Sequence, residues 1–133
     1  MKDRQNFFEV WGGISGCQHL LALLLDSSIP LERIVDLTSR QVAKRFRLNQ
    51  KGEIAIGQDA DFTIVDPGAE ETVTADSLLY RHRHSPYVGR RLRGRVVRTV
   101  LRGQTVFLHG KIAGSPSGKF IRPDNTNEPA QQS

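Results

Sequence analysis

Cysteine, tryptophan and tyrosine are nearly missing: 133 residues contain one, one and two of them. The lone Cys17 excludes an internal disulfide framework and a multi-cysteine zinc site. Long apolar runs are missing too. The longest, Leu20-Leu21-Ala22-Leu23-Leu24-Leu25, falls far short of the roughly 18 residues a membrane span needs. Met1-Lys2-Asp3-Arg4-Gln5 leads into no apolar stretch of a secretory signal, so no membrane association is expected and the cytoplasm is the default location. The chain is also shorter than the roughly 200 residues a complete (β/α)8 barrel requires.

Acid is absent from one long stretch. Between Ser77 and Pro123 there is no Asp or Glu but eleven basic residues, whereas the first 76 positions hold eight basic and twelve acidic ones. A basic stripe can neutralise phosphates, which makes a small nucleic-acid-binding module the alternative from a different functional class. Stacking platforms are scarce, however, since Tyr87 and Phe107 are the only aromatics among the central arginines. Any DNA binding is expected to be weak and sequence-blind. Otherwise the arginines face an acidic surface, on this chain or on another part of a larger protein.

What is present reads as helices followed by strands. Gly12-Gly13-Ile14-Ser15-Gly16 demands a sharp turn or a close approach of the backbone. The run 17–25 predicts a helix apolar on nearly every side, hence a buried one. Pro30 and Glu32 open a second helix, and Thr38 with Gln41 reads as a capping box starting a third, with Val42 and Phe46 on one face. Short β-type runs follow at 53–57, 62–67, 95–101 and 104–108, with 111–112 extending the sheet after a His109-Gly110 turn. From Ala113 onward Gly, Ser, Pro, Asn and Gln predict a flexible tail. Three regions result: 1–50, 51–112 and 113–133.

The chemistry-bearing residues each have a plainer explanation. His82 and His84 have the H-x-H spacing of metal ligands, but they sit among arginines and run into a Ser85-Pro86 turn, so turn or interface packing is favoured. Cys17 has only His19 nearby as a base and reads as a small buried hydrophobe. Ser15 lacks a full nucleophile elbow and reads as a helix cap. The pair Asp59 and Asp61 precedes a strand, where a turn role outweighs acid–base work. No catalytic residue and no metal site is assigned.

Three segments together resemble one family. Lys51-Gly52-Glu53-Ile54-Ala55-Ile56-Gly57-Gln58-Asp59-Ala60-Asp61-Phe62-Thr63-Ile64-Val65-Asp66 resembles the stretch with which amidohydrolase-superfamily enzymes re-enter their small β-sandwich after the barrel. Phe7-Phe8-Glu9-Val10-Trp11-Gly12-Gly13-Ile14-Ser15-Gly16 is similar to the loop after the last barrel strand of cyclic amidohydrolases. The segment from Tyr80 to Arg90, with Leu101-Arg102-Gly103, resembles the allantoinases among them. The resemblance implies an α/β fold class: the C-terminal fragment of a (β/α)8 metal-dependent hydrolase barrel, contributing its closing helices, plus part of the sandwich. It implies hydrolysis of allantoin to allantoate, in ureide and purine catabolism, by a metal pair, zinc by expectation, that activates water. The metal ligands and the general base would lie upstream of Met1. Gly12 and Gly13 match the loop whose main chain contacts the substrate ring. The chain alone is therefore expected to be inactive, and to self-associate or pair with the missing barrel portion. A non-catalytic subunit of a split amidohydrolase is a further alternative. The strands around Val96 and Val106 are expected to have open edges.

Overall fold

The computed structural model describes Asn6 and residues 13–124. A short 3-10 turn at Cys17–His19 leads into α1 (Leu20–Leu25). Pro30 then opens α2 (Leu31–Val35), its carbonyl accepting the first helical amides, those of Arg33 and Ile34. The chain stays helical through a wider π turn at Asp36–Arg40 into α3 (Gln41–Phe46). The expected capping box does not form. Thr38 Oγ1 donates instead to the Ile34 carbonyl at 2.7 Å, and the Gln41 amide reaches the Asp36 carboxylate at 3.2 Å, so no break is needed there. Ile34 and Ala43 are buried, while Val42 and Phe46 are exposed.

The helix stops in a Schellman geometry. Arg47 takes a left-handed φ of 53°, and the amides of Arg47 and Leu48 return to the carbonyls of Lys44 and Ala43.

Four antiparallel strands follow in simple order: β1 (Phe62–Thr72), β2 (Arg91–Leu101), β3 (Gln104–Leu108) and β4 (Lys111–Ile112). The turns Arg102-Gly103 and His109-Gly110 join the last three, with left-handed backbone at both residues of each, as two-residue hairpin loops require. Strand β1 runs past the expected end at Pro67 by means of a bulge. Residues 67–69 stand opposite the single Gly94, and Asp66 Oδ1 accepts the amides of Gly68 and Ala69 at 3.0 and 3.1 Å. The run 53–57 is not a strand. Its alternating Ile54 and Ile56 are 86% and 106% exposed, having no partner among the described residues to pair with.

Charge segregation along the sequence becomes pairing across the sheet. Asp66 stands opposite Arg95 and Glu70 opposite Arg93, and Arg91 forms an ion pair with Glu70. A small core of Val73, Leu78 and Leu92 lies beneath α1, with Ala22, Leu23, Tyr80 and Tyr87 packed against it. Helix α1 approaches β2 closely at Gly94, where a Cβ would lie 2.7 Å from Leu25 Cβ. None of the α1 residues is fully buried, and Leu20 is 57% exposed.

Residues 113–124 have no regular secondary structure but are tied down. Ala113 bonds Val106, the Arg102 guanidinium bonds the Ser117 carbonyl, and the Asp124 amide bonds the Arg47 carbonyl. Among the described residues, no helix is long and apolar enough to cross a membrane.

Candidate functional site

The glycine-rich loop lies at the mouth of α1. Gly12 falls outside the described residues. Gly13 has φ +86°, a conformation natural only to glycine. The loop closes through a Gly16 amide to Ile14 carbonyl bond at 3.0 Å, and the His19 amide returns to Gly16 at 3.0 Å. Ser15 does not cap the helix, contrary to expectation. Gly16 is the cap position and no side chain serves it, because Ser15 lies one residue too early. Its carbonyl is engaged elsewhere, by the Ser85 hydroxyl at 2.8 Å. Cys17 is exposed rather than buried, since the residue of that turn facing the core is His19.

His19 is 8% exposed, edge-on to Tyr87 with ring centroids 6.1 Å apart, and its Nδ1 has no hydrogen-bond partner among the described residues. Burial pushes its pKa below the usual 6.5, against a weaker opposing pull from the Glu71 carboxylate. Beside it a groove of about 530 Å³ runs between α1 and the sheet, lined by Leu21, Glu71, Val96, Phe107 and His109 among others.

Lys51 bridges both aspartates, reaching Asp59 at 2.6 Å and pairing with Asp61, while Asp61 Oδ1 accepts the Arg102 amide at 2.7 Å. Hydrogen bonds to Asp59 and Asp61 raise the Lys51 pKa. Burial would raise the Asp61 pKa, but the Lys51 and Arg102 bonds outweigh it and the net shift is downward. Asp61 thus ties the entry to β1 onto the β2–β3 turn, and Lys51 holds Asp59 beside it. His82 and His84 lie exposed in a tight turn, the His84 amide bonding the His82 carbonyl at 2.7 Å, and Arg83 between them pairs with Asp76. No group of three or more His, Cys, Asp or Glu side chains converges among the described residues. The described residues therefore do not fit a metal pair.

Sequence reasoning passed over Gln18, Tyr80 and Ser85, which hold the loop in place. Tyr80 and Ser85 lay in the segment that carried the resemblance, but burial of a serine next to proline leaves no mark in composition or spacing.

The amidohydrolase family profile matches residues 11–107, and the chain belongs to that family. Within it the chain is similar to allantoinases. It is 51% identical over 128 residues to the allantoinase of Rubrobacter xylanophilus, covering 92% of this chain and 28% of that protein. The allantoinase of Desulfitobacterium hafniense is 48% identical over 122 residues, covering 88% and 27%. Among solved structures, D-hydantoinase from Thermus sp. superposes with a TM-score of 0.76 at 26% identity, covering 82% of this chain and 25% of that one. L-hydantoinase from Arthrobacter aurescens gives a TM-score of 0.75 at 29% identity, covering 80% and 25%. The chain thus spans little more than a quarter of the length of the relatives it matches. The superfamily is generally metal-dependent.

Proposed function

We propose that this chain is the C-terminal portion of an allantoinase-like cyclic amidohydrolase. Region 1–50 supplies the last barrel loop and the closing helices, 51–112 the C-terminal part of the β-sandwich, and 113–133 the tail. The substrate class is a planar cyclic amide, with allantoin the specific expectation and allantoate its product. Gly12 and Gly13 contribute main-chain contacts to the ring. The metal pair and every catalytic side chain belong to the remainder of the enzyme, so this chain alone does not turn over substrate. The observation that carries this reading is the similarity to allantoinases over 92% of the chain but 28% of the relative. The exposed apolar residues Leu20, Phe46, Ile54 and Ile56 support it, as surfaces that a barrel would cover. The nucleic-acid alternative is disfavoured in this reading because three of the four β2 arginines have carboxylates of β1 at hand: Arg91 pairs with Glu70, and Arg93 and Arg95 stand opposite Glu70 and Asp66.

A hybrid tests the proposal. Joined to the N-terminal remainder of the Rubrobacter xylanophilus allantoinase, the chain should support metal-dependent conversion of allantoin to allantoate. The chain alone should show none with added zinc, cobalt or manganese. A hybrid that folds and binds metal but leaves allantoin untouched would count against the substrate. Turnover by the isolated chain would overturn the division of labour.

A further inference from the structure

The segment from Tyr80 to Arg90 stands out in the sequence, yet the proposed reaction draws on none of its side chains. Several residues of 77–87 meet the glycine-rich loop or the 3-10 turn that follows it. Ser85 is 5% exposed, and its hydroxyl donates to the Ser15 carbonyl at 2.8 Å across 70 positions of sequence. Tyr80 Oη accepts the Gln18 amide proton at 2.7 Å. The Gln18 side chain answers in the other direction: Nε2 donates to the Ser77 carbonyl and Oε1 accepts the Leu79 amide, both at 2.8 Å. An acceptor and a donor two residues apart are what a neighbouring strand would engage, so the Gln18 carboxamide stands in for a peptide group. Tyr87 completes the fit, since a Cβ on Gly16 would lie 3.3 Å from its Cε2. A buried hydroxyl is costly unless it is bonded, so the Ser85 contact favours one arrangement of the loop, and the Tyr80 and Gln18 bonds fix the turn that follows it.

We propose that Ser85 and Tyr80 are positioning residues which, with Gln18, set the main-chain geometry of loop 13–16 for recognition of a planar cyclic amide. The recognition half rests on the reading above that the loop contacts the ring. The clasp itself stands on the structure of this chain.

Tyr80→Phe and Ser85→Ala each remove a single oxygen. Hydrogen exchange on the isolated chain should show the Gln18 amide exchanging about tenfold faster in Tyr80→Phe, which removes its acceptor, and the Gly16 amide exchanging faster in Ser85→Ala, which frees the Ser15 carbonyl and loosens the loop. Amides of β2 and β3 should keep their rates. Ser85→Thr, which retains the hydroxyl, should restore protection. Unchanged exchange at 14–18 in both variants would overturn the clasp. In the hybrid enzyme the same two substitutions should raise KM for allantoin several-fold and leave kcat within about twofold. A fall in kcat at constant KM would reduce these residues to folding contacts and overturn the positioning role. If the hybrid with the unaltered chain binds metal but does not hydrolyse allantoin, the assignment of the loop to the ring fails, and the exchange result still decides the clasp.

Discussion

His19 lies in the turn that joins the loop to α1, and its ring is buried with no partner for Nδ1 among the described residues. Its pKa in the folded chain lies below the unfolded value near 6.5, chiefly through burial. Within that interval the unfolded chain binds more protons than the folded one, so stability rises with pH there. The contribution is present above about 6.5 and is lost as pH falls through the lower folded value. The thermal midpoint should therefore drop between pH 7.5 and pH 5. In His19→Gln, which cannot charge, the drop should be smaller. Parallel pH profiles for the two proteins would show that His19 does not couple to folding. From the sequence this residue was merely the wrong base for Cys17. Nothing in its spacing distinguishes a histidine turned into the core from one turned out, because a 3-10 turn lacks the periodicity that reveals an inward face.

At the scale of elements, the two hairpin turns were legible because a left-handed pair ending in glycine is a local requirement, met by Arg102-Gly103 and His109-Gly110. Two misreadings share a different cause. The alternation of Ile54 and Ile56 is a genuine strand pattern, but a strand also needs a partner, which no local signal supplies. Thr38 and Gln41 have the spacing of a capping box, yet tertiary context lets the helix run through them. The glycine loop was legible as a turn, while the side chains that fix it lie some 60 to 70 positions away. Two substitutions test the elements. Arg47→Gly should stabilise the chain by up to about 1 kcal/mol in denaturant unfolding, since a side chain in left-handed backbone is strained. Gly94→Ala should destabilise it by about 1–3 kcal/mol, because the added methyl meets Leu25 and the residue has φ +88°. Leu25→Ala should not rescue that variant, as the clash reaches Leu25 Cβ itself.

For the whole molecule, stability and solubility turn on surfaces rather than on a deep core. Leu20, Phe46, Ile54 and Ile56 are all more than half exposed, so the isolated chain should self-associate in size-exclusion chromatography. Replacing Ile54 and Ile56 together by lysine should shift elution toward the monomer. A wild-type chain that elutes as a monodisperse monomer with a sharp thermal transition would show that these residues are tolerated in water. The manner of association is limited by the two ends of the sheet. At one end β4 is two residues long. At the other, β1 is interrupted by its bulge and by Pro67, which has no amide hydrogen to offer. Neither margin is a template on which further chains could stack indefinitely. Association through side-chain patches alone saturates once the patches are covered, so this protein should form finite particles that stay dark with amyloid dyes, instead of growing into fibrils.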